Sequence, residues 1–408
     1  MPVAPKPTQR RSESTDPATG AAPSEPECPD EGGGEAPDKT EWLDIIFDLV
    51  FAVGITELSD SFAAGLSLRG LLTFIALLIP FWWVWMGYTV YNARFDRDDT
   101  GHRILSFLQM LAVSIMCVQV LNGLHGIQIF AGGYIVSRLT LLVMYARVHS
   151  RTRSIRQVVR AYLGGFSVGV GFWVVSLFVA TPEKYALWAI GLVIDLIFPW
   201  LIRGMLEKAT IDAMRIRQRL MEFMSIVLGV GIQNVIVGTA DIHWETRPVM
   251  VALEAFVLAA GMWWIYSGAL ARKELVPAIG AGQPLIYAHL PLMAGLAALN
   301  IGLLLEIVKA SHLSETHDID WLVGGSLSLW LISIVIIHRA VIGLPFSVRA
   351  FIYIAGAIVL LAIPMVEQWS GASCGLSGPL AVIVALVIYY TRSQRVSIPA
   401  DAVDPDSA

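Results

Sequence analysis

The stretch Glu41 to Leu58, EWLDIIFDLVFAVGITEL, opens a long apolar segment and carries acids into it. Asp44 and Asp48 stand four apart, so on a helix they share one face. Glu57 and Asp60 lie towards its other end. An ionised carboxylate at bilayer depth costs about 2.5–3.5 kcal/mol on insertion scales. It therefore persists only with a partner, a proton or a watery cavity. Asp44 is within a turn of the helix start, where the helix dipole favours an acid. Asp48 lies deeper, beside Phe47 and Phe51, and points to a buried polar network or a functional role.

The rest of the chain fits a bilayer. Of its 408 residues 56% are hydrophobic and only 15% charged, with a mean hydropathy of +0.65. That is too little charge to cover a soluble protein of this length. Apolar runs of about 20 residues recur, the length needed to cross about 30 Å of hydrocarbon. Twelve such runs, the first at 43–64 and the last at 376–391, predict an all-α polytopic membrane protein with about twelve transmembrane helices. No basic patch with interleaved aromatics is present, which argues against nucleic acid. Cys28, Cys117 and Cys374 have neither disulfide nor metal-ligand spacing.

Residues 1–40 are rich in Pro, Ser, Glu, Gly and Ala without an apolar run, and read as a disordered tail rather than a signal peptide. Lys and Arg crowd alternate connections, most densely at Arg147, Arg151, Arg153, Arg156 and Arg160. By the positive-inside rule both termini, including a tail at 393–408, are expected in the cytoplasm, and the acidic loop Ser311–Asp320 outside. A cytoplasmic (inner) membrane location follows, with the lipid bilayer as partner. The sequence leaves a homo-oligomer open.

Sliding the sequence by 181 places Glu41 on Glu222, Asp44 on Ser225, Asp48 on Gly229 and Trp82-Trp83 on Trp263-Trp264. Nearby offsets place His102 on His289 and Arg160 on Arg349. Two parallel six-helix repeats, 41–208 and 209–392, are therefore expected, with binding paths where such halves meet. The second half has lost the acids, leaving Gly229, Gly231 and Gly238 for close helix approach and Gln233 and Asn234 as neutral hydrogen-bonding groups.

Three further groups carry candidate chemistry. Arg138 falls inside the fourth span and needs a counter-ion, for which Asp48 and Asp195 are the available acids. Asp195 precedes Pro199, which frees a backbone carbonyl one turn earlier. At the end of the second span, NARFDRDDTGHR packs Arg94, Asp96, Asp98, Asp99, His102 and Arg103 together. Three carboxylates this close suit Mg²⁺ or Ca²⁺, or equally a helix cap and salt-bridge cluster. His289, before Pro291, reads as structural. No catalytic triad order, phosphate loop or HExxH is present.

These segments resemble the bacterial low temperature requirement A (LtrA) family of multi-pass membrane proteins. The resemblance rests on Trp42–Leu58, Trp82–Arg103, Leu187–Pro199, Met262–Tyr266 and Tyr287–Leu296. Where the family resembles E-R-F-G-L-F-x-I-I-V-L-G-E, this chain reads QRLMEFMSIVLGV, with Gln218 and Val230 at the two glutamate positions. The residues from Asp48 to Thr56 are more weakly similar to the first helix of endolysosomal potassium channels with an F-S-D motif, which also have two six-span repeats and line their pore with the first helix of each. The function expected is permeation or transport of an ion or small solute along the first helices of both halves, through Asp44, Asp48, Glu57, Arg138, Asp195, Gln233 and Asn234. The alternatives are an intramembrane enzyme on a lipid or isoprenoid diphosphate, with Mg²⁺ held by Asp96, Asp98 and Asp99, and a membrane scaffold or sensor. The sequence does not decide whether the chain is an enzyme.

Overall fold

The computed structural model describes residues 39–95, 99–121, 127–148, 152–209, 211–240, 245–270, 283–312, 317–342, 348–371 and 374–395. Among them are twelve long helices: α1 Lys39–Ala63, α2 Leu68–Phe95, α3 Thr100–Leu121, α4 Ile127–Ala146, α5 Arg153–Ser176, α6 Glu183–Leu201, α7 Ala213–Ala240, α8 Thr246–Leu270, α9 Gln283–His312, α10 His317–Ile342, α11 Val348–Ser370 and α12 Ser377–Arg395. A single turn, Arg203–Leu206, follows α6. No strand occurs among the described residues. In hydrocarbon every backbone N–H and C=O must be satisfied within its own segment, and the helix does this.

Ten of the twelve helices are long and apolar enough to cross a membrane. α1 falls short because of its acids, and the apolar part of α12, Ser377–Ser393, because of its length. The outward faces are apolar, as lipid contact requires: Trp42, Ile46, Leu49 and Val53 all point away from the bundle on α1. The inward face of α1 carries Phe47, Asp48, Phe51, Ile55 and Ser59, all buried.

Two helix starts carry side-chain caps. Asp99 accepts the His102 amide at 2.8 Å to begin α3, and Asp212 accepts the Arg215 amide at 3.0 Å to begin α7. Small residues set the closest helix crossings. A Cβ on Gly169 would lie 3.1 Å from the Gly191 carbonyl, and one on Gly191 2.8 Å from the Gly169 carbonyl, so α5 and α6 touch backbone to backbone there.

Packing follows the same succession in each half. α1 lies on α2 and α3, α3 on α4, α4 on α5, and α5 on α6; α7 lies on α8 and α9, α9 on α10, α10 on α11, and α11 on α12. The halves meet where α1 and α2 contact α7 and α9. The register drawn from a shift of 181 does not carry over to the buried faces. Leu43/Asp44 and Phe47/Asp48 find buried counterparts at Phe223/Met224 and Val227/Leu228, one residue earlier, whereas Ser225 and Gly229 are exposed. Trp82 and Trp83 are buried in the core, but Trp263 and Trp264 are 47% and 49% exposed. One residue is about 100° around a helix, enough to turn a side chain from the core to the lipid.

Candidate functional site

Two of the buried ion pairs lie towards the end of the bundle at which α1 begins, here the near end. The first joins the halves. Arg219, in the second turn of α7, donates Nη2 to Asp48 Oδ1 at 2.7 Å and Nη1 to Asp48 Oδ2 at 3.0 Å. Trp85 of α2 donates its indole N–H to Asp48 Oδ1 at 2.8 Å. Asp44 accepts from Asn92 Nδ2 at 2.9 Å and lies 3.7 Å from Arg219 Nε. Two acids share one guanidinium, and Trp85 and Asn92 supply the neutral donors that solvate the remaining carboxylate oxygens. Phe223 stacks on Trp85 with centroids 4.2 Å apart, so the charged cluster is sealed by aromatic rings. Asp48 is 0% exposed. Its charge is compensated by Arg219 and out of reach of water. Gly229, aligned with Asp48 by the shift of 181 and expected at a close helix approach, is instead exposed on the outer face of α7 with open space around its Cβ position.

The second pair lies within the first half. Arg138 of α4 places Nη2 3.1 Å from Asp195 Oδ2 of α6, and Tyr134 donates its hydroxyl to the same oxygen at 2.9 Å. Asp195, not Asp48, is thus the counter-ion of Arg138. The ring of Phe166 lies 4.4 Å from the Arg138 guanidinium carbon, a cation–π contact. Asp195 reaches this depth because Gly169 faces it: a Cβ there would come within 2.3 Å of Asp195 Oδ1. Near Pro199, α9 supplies hydrogen bonds to α6, from Gln283 Nε2 to the Pro199 carbonyl and from the Tyr287 hydroxyl to the Leu196 carbonyl.

Spaces lie on either side of this second pair, both lined by α2, α4, α5 and α6. Towards the far end, a wide cleft is lined by α2 at 68–80, α4 at Ile127 and Phe130, α5 at Trp173 and α6 at 185–192. Then come Tyr134, Arg138, Gly169 and Asp195. Towards the near end, a narrow cavity is lined by α2 at 83–94, α4 at Arg138 and Tyr145, α5 at Tyr162 and Phe166, and α6 at Pro199, with Gln283, Ile286 and Tyr287 of α9 closing it. The barrier between them is the Arg138–Asp195 pair, the Tyr134 ring and Trp173, whose ring centroid is 4.2 Å from that of Tyr134.

The other residues singled out from the sequence scatter. Glu57 is half-buried beyond these sites on α1, and Gln233 is exposed on α7. Asn234 is buried and donates to the Asn300 carbonyl at 2.9 Å, while Asn300 Nδ2 donates back to the Val227 carbonyl at 2.8 Å. Gly231 and Gly238 of α7 approach α9 closely, at Asn300 and Ile307. Asp96 and Asp98 lie outside the described residues. Asp99 is committed to the α3 cap and to Arg147 Nη2 at 2.8 Å. Arg94 Nη1 donates to the Ala209 carbonyl at 3.2 Å. His102 is buried and stacks on Tyr88 and Tyr91 at 6.2 and 6.0 Å, and Arg103 is half-buried beside it. Among the described residues no group of three His, Cys, Asp or Glu side chains is placed to hold a metal ion.

Sequence reasoning missed Arg219, counted as a positive residue of the α6–α7 connection. The signal was present in the quoted motif, where Arg219 occupies the arginine of E-R-F. It also missed a far-end cluster in which Lys309 Nζ lies 2.5 Å from Asp320 and 3.6 Å from Glu306, all buried.

Comparison with known proteins places this arrangement. The family described as bacterial low temperature requirement A protein (LtrA) matches residues 39–389, nearly everything that the structure describes. An uncharacterized protein of Rhizobium meliloti (strain 1021) is 24% identical over 282 residues, covering 65% of this chain and 68% of its own length. Neither comparison names a channel.

Proposed function

The chain belongs to the bacterial low temperature requirement A family, and on that premise we propose that it moves a small solute or ion across the membrane through the space enclosed by α2, α4, α5 and α6. The observation that carries this reading is the order of far-end cleft and near-end cavity along α2, α4, α5 and α6, with the Arg138–Asp195 barrier between them on α4, α5 and α6. Ionisable groups at membrane depth are expensive to bury, and their use along a solute path is the common reason for keeping them. In this reading the Asp48–Arg219 pair is the joint between the halves rather than part of the path.

The near end is the cytoplasmic face of the inner membrane, because the Arg-rich α4–α5 connection lies there. Both termini are then cytoplasmic, and two parallel repeats, 41–208 and 209–392, account for the matching succession of contacts in the two halves. The test is reconstitution of the purified full chain in liposomes, with uptake measured for a panel of small anions, cations and neutral solutes. At least one class should enter faster than into empty liposomes. A flat panel contradicts the reading.

A further inference from the structure

We infer that the near-end cavity is a binding site for an oxyanion head, carboxylate or phosphate, carried on an apolar or aromatic body. The argument starts from the polar atoms around the cavity and their lack of partners. Arg138 is 1% exposed, and among the described residues its Nε and Nη1 have no hydrogen-bond partner; only Nη2 approaches Asp195. Among the described residues Trp83 Nε1 and Arg94 Nε are also buried without a hydrogen-bond partner. All three side chains line the same space. An unpaired buried donor costs about 1–3 kcal/mol, and more on a charged group. Several on one cavity are a pattern that a native interior avoids unless something else accepts from them.

The donor set selects the ligand. Two guanidinium groups and an indole N–H offer donors only, with no acceptor capacity. Among the described residues the cavity wall carries two arginines and no carboxylate, with Asp195 behind it against Arg138, so the described wall is positive. A guanidinium edge matches the paired oxygens of a carboxylate or phosphate. Gln283 Oε1, an orphaned acceptor on the cavity wall, suits a protonated oxygen or an N–H on the same ligand, while the orphaned Asp195 Oδ1 stays behind the wall against Gly169. Tyr145, Tyr162, Phe166 and Tyr287 line the remainder, giving flat apolar contact for the body. Gly87 leaves room for the arginine: a Cβ there would lie 3.1 Å from Arg138 Nη1.

This inference deepens the transport reading and rests on it for its meaning as a substrate site, but binding is measured without flux. The purified full chain in detergent is titrated with benzoate, and with benzylamine as a cation of the same body, following Trp fluorescence and thermal unfolding. A second arm places the protein in nanodiscs with or without phosphatidylglycerol, to separate a soluble organic anion from a lipid head group. Arg138→Leu alone strands Asp195, so the diagnostic variants are the paired Arg138→Leu/Asp195→Leu, which removes both charges together, and Trp83→Phe. Saturable stabilisation by benzoate in detergent, or by phosphatidylglycerol in nanodiscs, is expected, weakened about tenfold or more in the paired variant and several-fold in Trp83→Phe. Equal stabilisation by benzylamine, an unchanged response in the paired variant, or no response in either arm overturns the inference. Binding without flux leaves the site standing and removes the transport reading; flux without anion binding does the reverse.

Discussion

Arg219 grips Asp48 with both terminal nitrogens, at 2.7 and 3.0 Å, across 171 positions of sequence. The bond joins the first helix of one half to the first helix of the other at a depth where neither side chain sees water. Two charges buried in this way attract strongly, yet each has lost its hydration. The pair is therefore worth little over an apolar replacement, but much against the loss of one member.

Breaking the pair from one side should be severe. Asp48→Ala leaves the Arg219 guanidinium buried and is expected to destabilise the protein by about 3–5 kcal/mol. Arg219→Leu should cost at least as much, because Asp44 loses its nearby cation too. The double variant Asp48→Ala/Arg219→Leu should recover part of the loss in a thermal-stability cycle. Additive losses would mean that the two residues do not act as a pair.

The asparagines between α7 and α9 form a reciprocal clamp, each side chain donating to a carbonyl of the opposite helix. Interhelical hydrogen bonds within membranes contribute about 0.6 kcal/mol on average and up to about 1.7. Asn234→Ala and Asn300→Ala are expected to cost amounts of that order each, plus the packing lost, and to add nearly independently because the two bonds share no atom. Strong coupling in the double variant would show instead that the two helices separate as a unit.

Helix positions were legible in the sequence because hydrocarbon permits few alternatives: an apolar run of the right length must be a helix. The need of Asp48 and Arg138 for partners was legible for the same reason, and Asp195 stood among the candidates. Which partner each one took was not, since pairing depends on crossings set by backbone contacts such as Gly169 with Gly191. Arg219 hid because an arginine beside a charged connection reads as a topology marker. Only the rotation of α7 about its axis shows it inside. Gly229 failed through that same rotation, its sliding alignment with Asp48 being one residue out of phase with the buried face.

Cys374 offers a native reporter of topology. It is exposed between α11 and α12, and Cys117 is buried. Partial burial and the neighbouring Glu367 carboxylate, which accepts the Cys374 amide at 2.5 Å, push its thiol up to about 11. Because the thiolate is the reactive form, labelling by a membrane-impermeant maleimide should be slow at pH 7 and rise about tenfold per pH unit towards pH 10. In intact cells Cys374 should be labelled and Cys28 protected, as cytoplasmic termini require. Labelling of Cys28 and protection of Cys374 would reverse the orientation.

The most direct measurement compares solute flux in proteoliposomes for wild type, the paired Arg138→Leu/Asp195→Leu variant and Asp99→Asn, all matched for folded protein. Asp99 caps α3 at the surface and stands away from the barrier, so its variant should keep close to wild-type flux. The paired variant retains a neutral, apolar interior of similar volume but has lost the charged barrier. The account predicts that its transport of the wild-type solute falls at least about tenfold, the scale of one charged hydrogen bond. Wild-type flux in the folded paired variant, or loss of flux only at Asp99, would contradict a path through Arg138 and Asp195.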